Sequence, residues 1–129
     1  MMKSSLSLLA ASGVFKGVVV YKDAPEFKFN LSEVDLLRYH GRLRILAVQD
    51  GTMIILEFKD TPQTPESIPV NYAEIEGGDT PFARGQSGKI KGLINNSTTL
   101  KCESFTASLK DHKGQDVEFS GRFELDLTK

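Results

Sequence analysis

The chain lacks most of the features that would point directly to a function. Its 129 residues include one cysteine and no tryptophan. A single cysteine excludes an intrachain disulfide and a cysteine-cluster metal site. Neither sign of charge dominates, because 16 basic residues stand against 17 acidic ones, and this balance argues against nucleic acid as a main partner. No run approaches the ~18 apolar residues of a membrane-spanning helix, so we expect no membrane partner.

Residues that could carry catalysis are equally scarce. His40 and His112 are too few and too separated for a zinc site without carboxylate help. The run Gly85-Gln86-Ser87-Gly88-Lys89 resembles a phosphate-binding loop, but its glycine spacing is wrong and no hydroxyl follows the lysine. Cys102 falls in an alternating apolar pattern and is expected to act as a small hydrophobe. We therefore predict no catalytic residue, no metal and no cofactor, and we favour a non-enzymatic function over an enzymatic one.

What the sequence does contain is a repeated alternation of apolar and polar residues. The hydrophobic share of 40% and the charged share of 26% are typical of a globular protein, and the length suits a single domain over residues 1–129. About eight short strands separated by turn residues, with little helix, predict an all-β antiparallel barrel or sandwich. The N-terminal apolar stretch is short and interrupted by serines, which does not favour a signal peptide. We expect a cytoplasmic protein.

The clearest prediction is a hairpin of Arg42–Gln49 with Thr52–Lys59. The two residues between them, Asp50 and Gly51, suit a tight turn whose central positions need positive φ. In this register one face is apolar throughout, and the other pairs Arg44 with Glu57. A slip of one residue would exchange the two faces, so the pattern specifies the register.

A second set of strands is predicted near the C-terminus. A turn at His112-Lys113-Gly114 would place Leu109 opposite Val117, Ala107 opposite Phe119 and Phe105 opposite Gly121. The apolar phase slips by one between Cys102 and Phe105, which calls for a β-bulge near Glu103-Ser104. On the other side, Gly88–Ile94 is expected to pair with Thr98–Leu109 so that Ile90 lies opposite Cys102.

The stretch Gly77–Gly88 is predicted to be a loop. It contains four glycines and a proline and shows no sustained period, which is typical of a mobile or functional connection. In a barrel it would be suited to act as a lid. Earlier in the chain, Val34–Tyr39 fits either a strand or a single helical turn.

The first candidate site is an anion-binding stripe. Arg38, His40 and Arg42 occupy alternate positions, and Lys59 would lie opposite Arg42. If one strand ran unbroken through Gly41, these groups would project from one face and could hold a phosphate or another anion.

The second candidate site is an apolar patch on the outer face of the predicted hairpin, formed by Leu46, Val48, Met53 and Ile55. An antiparallel sheet with one face on the core would expose this patch unless another segment or subunit covered it. The leading hypothesis is therefore a non-enzymatic β module that acts through its surface, as a self-assembling subunit or an adaptor, with a homo-oligomer or another protein as partner. The alternative is a small-ligand carrier, a barrel with an unfilled interior and a lid at residues 77–88.

Overall fold

The computed structural model describes residues 7–62 and 66–127. Within these ranges the chain forms nine strands and no helix. They are β1 (Ser7–Val20), β2 (Phe27–Tyr39), β3 (Arg42–Gln49), β4 (Thr52–Lys59), β5 (Ile68–Glu76), β6 (Ala83–Lys91), β7 (Ile94–Asn95), β8 (Thr99–Asp111) and β9 (Asp116–Asp126). Val34–Tyr39 is thus the second part of one long strand and not a helical turn.

The strands close into an antiparallel barrel. From β1 to β6 each strand pairs with the next, β6 pairs with β8, β8 with β9, and β9 returns to β1. The short strand β7 is an addition that pairs with the start of β8. The all-β prediction is confirmed, and the choice between barrel and sandwich is settled in favour of a barrel of eight strands.

The predicted β3–β4 hairpin is confirmed residue for residue. Arg42 lies opposite Lys59, Arg44 opposite Glu57 and Gln49 opposite Thr52. The turn forms as expected because Asp50 and Gly51 both adopt positive φ, at 53° and 83°.

The β8–β9 pairing is also confirmed. Leu109, Ala107 and Phe105 lie opposite Val117, Phe119 and Gly121, and the register shifts between Cys102 and Phe105, where the bulge was expected. Placed in this way, the apolar residues on both sides of the bulge point into the barrel. The bulge therefore restores the inward phase that strict alternation would have lost.

The predicted pairing of β6 with β8 is wrong by three residues. Ile90 lies opposite Phe105, not Cys102. Both registers place apolar residues inward, because the β8 bulge shifts the phase by one, so alternation alone could not distinguish them. The turn decides between them: Gly92 adopts a φ of 66°, β7 follows it, and the Asn96 Oδ1 accepts hydrogen bonds from the N–H groups of Thr98 and Thr99.

The prediction of a loop over Gly77–Gly88 is also wrong for its second half. Only residues 77–82 form a loop, and β6 begins at Ala83. A Cβ built on Gly85 would lie 2.3 Å from the Ser108 carbonyl oxygen, and one on Gly88 would lie 2.1 Å from that of Thr106. These glycines therefore reflect a close approach of β6 to β8 at the barrel closure, so a lid could not extend over residues 83–88.

Aromatic rings fill the barrel interior. The ring of Phe15 lies 5.0 Å from that of Phe29, and the ring of Phe105 lies 5.0 Å from that of Phe119. Phe58 and Phe123 stack at 6.0 Å and join the same cluster. Five of these rings are fully buried, those of Phe15, Phe58, Phe105, Phe119 and Phe123.

Candidate functional site

The outer face of the β3–β4 hairpin carries the predicted apolar patch and part of the predicted anion-binding stripe. Toward the β2–β3 turn this face is charged, with Arg42, Arg44 and Glu57. Toward the β3–β4 turn it is apolar, with Leu46, Val48, Met53 and Ile55. Within the apolar half, Leu46 lies opposite Ile55 and Val48 opposite Met53.

The charged half is organised around Glu57, which is only 2% exposed although it points away from the barrel core. Its Oε1 accepts a hydrogen bond of 2.6 Å from the Tyr39 hydroxyl and one of 2.9 Å from Arg44 Nε. Arg44 Nη2 lies 2.8 Å from the same oxygen, and Arg42 Nη1 lies 3.6 Å from Oε2. A carboxylate shielded from water in this way is stabilised by paired charge and by hydrogen bonds together.

Two tyrosines enclose the Arg44 guanidinium. Its Cζ lies 5.9 Å from the ring centre of Tyr39 and 5.5 Å from that of Tyr72, within the range of cation–π contacts. The hydrogen bond that Tyr39 donates to Glu57 raises the pKa of its phenol, and burial adds to this shift. Tyr72 in turn donates a hydrogen bond to Glu74. Arg44 is therefore engaged by its own neighbours and contributes little to an anion site.

The structure does not assemble the predicted anion-binding stripe. The expectation of an unbroken strand through Gly41 is wrong, because His40 and Gly41 adopt φ values of 50° and 76° and form the turn between β2 and β3. Arg38 lies on the other face of the sheet from Arg42. It binds Asp60 Oδ2 and Asn95 Oδ1, both at 3.1 Å, at the end of the barrel.

Arg42 and Lys59 are the two stripe residues that the structure does bring together. They lie opposite each other at the ends of β3 and β4, and both are exposed. Arg42 shares the single carboxylate of Glu57 with Arg44, so this end of the hairpin keeps an excess of positive charge. Anion binding at this pair stays a prediction.

The apolar half is exposed only in part. Val48 is 63% exposed and Met53 36%, whereas Leu46 is half-buried. Ile55 was expected to lie exposed with them, but it is only 6% exposed. Its cross-strand neighbours are Leu46 on β3 and Glu74 on β5.

Next to this apolar patch is a groove of about 420 Å³, which we call the β2–β3 groove. Its lining comes from the middle of β1, from β2, from the end of β3 and from Met53 of β4: Ala10, Ala11, Ser12, Glu33, Val34, Asp35, Leu46, Ala47, Val48 and Met53. The groove exists because the β2–β3 ladder ends at Asp35 and Leu46 although both strands continue. Sequence reasoning identified Leu46, Val48 and Met53 but missed Glu33 and Asp35, since nothing in the local pattern shows where two strands separate.

A smaller cavity of about 170 Å³ lies at one barrel end, between Tyr21, Phe82 and His112. The Tyr21 hydroxyl donates a hydrogen bond of 2.6 Å to the Pro81 carbonyl. Burial, with a contribution from the charge of Asp111, raises the Tyr21 pKa to about 12. The ring of Phe82 stacks on that of His112 at 5.0 Å. His112 is thus a partner in packing at a hairpin tip.

Cys102 has the structural role expected of it. It is 1% exposed and lies opposite Phe123, and burial raises the pKa of its thiol to about 11. In the described ranges, no three His, Cys, Asp or Glu side chains come together as a metal site would require. The same ranges hold no helix with the length and apolar character needed to cross a membrane.

Comparisons of the chain with protein-family models, with curated proteins and with solved structures give no match.

Proposed function

We propose that this protein is a non-enzymatic β-barrel module that binds another protein chain through the β2–β3 groove, as an assembly subunit or an adaptor. The observation that carries the proposal is the exposure of Val48, at 63%, directly beside a groove lined largely by apolar side chains. An apolar residue of this exposure bordering a concave surface is typical of a contact surface.

The filled interior favours this function over the carrier alternative. A carrier of small ligands needs a cavity within the barrel. Here the Phe15 ring contacts those of Phe29, Phe105 and Phe123, and these side chains occupy the space that a ligand would need. A partner would therefore bind to the outer surface of the barrel.

The test is a comparison of Val48→Asp with the matched control Val20→Asp. Both residues are exposed valines on outer strand faces, at 63% and 43%, so both variants are expected to fold. We would measure the mass in solution by light scattering, and we would quantify the proteins that co-purify from the native host.

A loss of self-association, or of a stoichiometric co-purifying chain, in Val48→Asp alone would support the proposal. Identical masses and co-purifying chains for the wild type and both variants would contradict it. Circular dichroism of each variant is the control for folding.

A further inference from the structure

Strands β2 and β3 separate along part of their length and leave two unpaired edges. Their ladder covers only the pairs from Tyr39 and Arg42 to Asp35 and Leu46. Beyond that point β3 continues to Gln49, and β2 extends back to Phe27. Such edges present backbone N–H and C=O groups that can pair with another strand.

The Gln49 side chain shows what these edges accept. Its Nε2 donates a hydrogen bond of 3.0 Å to the Lys28 carbonyl, and its Oε1 accepts one of 3.1 Å from the Asn30 N–H. The side-chain amide of Gln49 thereby forms the two hydrogen bonds with β2 that the backbone of a neighbouring strand would form. Because a whole glutamine side chain bridges the gap, the two backbones lie further apart than the ~4.8 Å of a normal ladder.

The charge at the groove is acidic. Glu33 and Asp35 are both exposed on its rim. Across the part of the chain that the structure describes, no cation forms an ion pair with either carboxylate. A second copy docked face to face would bring the same acids together, which is unfavourable. The groove therefore favours a basic partner over self-association.

We infer that the β2–β3 groove receives an extended segment of another protein, which adds as a strand to the free edges and carries basic residues at alternate positions. Outward side chains of such a strand lie beside Glu33 and Asp35, where lysine or arginine is favoured. Inward side chains face Val34 and Ala47, where small apolar residues fit. This inference rests on the proposed function and names its partner by chemistry.

The test uses two blocked peptides, one of alternating Lys and Val and one of alternating Glu and Val. Each is titrated into the ¹⁵N-labelled full chain at low salt. We expect the basic peptide to shift the amide resonances of Ala47, Val48 and Val34 and to slow the hydrogen exchange of Val48, because the pairs Ala47–Ile54 and Val34–Ala11 already place the other two amides in ladders. Glu33→Gln and Asp35→Asn should each weaken binding about fivefold, and added salt should do the same. Glu118→Gln and Glu124→Gln, on exposed positions of β9, are the matched controls.

Equal binding of both peptides, or shifts that map to another face, would overturn the inference, and so would an absence of shifts. These results leave the proposed function separately testable with Val48→Asn, a neutral change that removes the apolar contact without adding a charge that would itself attract a basic partner. Conversely, a basic peptide that binds the groove of a protein whose native contacts are unchanged by Val48→Asn would refute the proposed function alone.

Discussion

Removal of the Glu57 carboxylate tests the organisation of the hairpin's outer face. In Glu57→Ala, the Tyr39 hydroxyl and Arg44 Nε lose the oxygen that accepts their hydrogen bonds at 2.6 and 2.9 Å. The Arg44 guanidinium remains between two tyrosine rings without its counter-charge. Glu57→Gln keeps the shape and one acceptor oxygen but removes the charge.

The magnitude follows from burial. Breaking a fully buried ion pair costs about 3–5 kcal/mol. Glu57 is 2% exposed, but Arg44 keeps 26% of its side-chain surface in water, so part of its charge is rehydrated. We therefore expect a loss of about 2–3 kcal/mol for Glu57→Ala. The amide of Glu57→Gln retains hydrogen bonding, and the expected loss is about 1–2 kcal/mol.

Urea unfolding measures these losses of unfolding free energy. In thermal unfolding of a chain of this size, each kcal/mol lost lowers Tm by about 3 °C. The matched control is Glu118→Ala, an exposed glutamate on β9, for which we expect a change within about 0.5 kcal/mol. Spectrophotometric titration supplies a second readout: the pKa of Tyr39 should fall toward its ordinary value, because the hydrogen bond to Glu57 raises it. Equal stability of Glu57→Ala and Glu118→Ala, with unchanged tyrosine titration, would refute the reasoning.

Two further predictions concern the barrel wall and its end. Gly121→Val should destabilise the fold by about 3 kcal/mol or more, because its Cβ would lie 2.2 Å from the Lys16 carbonyl oxygen. In the control variant Gly114→Ala, the added Cβ has no atom within 4 Å, so the loss should be only about 1 kcal/mol, from the positive φ. Similar melting temperatures of the two variants would contradict the proposed clash. The pKa of Tyr21 is 10.0 in the unfolded chain and is raised to about 12 in the folded chain. The contribution of Tyr21 to the free energy of unfolding is therefore complete below pH 10 and is lost as the pH rises toward 12. Tyr21→Phe should flatten the fall in unfolding free energy over this range, and a profile that matches the wild type would exclude the assignment.

The parts of the fold that the sequence predicts are those whose determinants lie close together in the chain. The β3–β4 register follows from Asp50-Gly51 and from residues within eight positions of it. The β8–β9 register likewise follows from a short turn and from one bulge that alternation reveals. Each of these registers gives compatible residue pairs on both faces of the sheet, so the local pattern is sufficient to predict the pairing.

The errors arise where a distant segment or a turn decides the outcome. The β8 bulge makes two registers with β6 equally apolar, and the glycines of β6 show a close approach that only the partner strand explains. The arginine stripe fails because two exposed residues, His40 and Gly41, form a turn. The β2–β3 groove could not be predicted, since the β2–β3 ladder ends at Asp35 and Leu46 within two strands that both continue.

The pairing of β1 with β9 has a consequence for how the chain folds. This ladder joins the first described strand to the last, and positions such as Ser12 and Asp126 meet across it. The β3–β4 hairpin can form within ~1–10 μs because its strands are joined by a two-residue turn. Barrel closure must instead overcome the loss of conformational entropy on closing a loop that contains nearly the whole chain. Proteins dominated by such distant pairings fold in milliseconds to seconds. During synthesis, the edge of β1 that pairs with β9 therefore stays open until β9 has been translated.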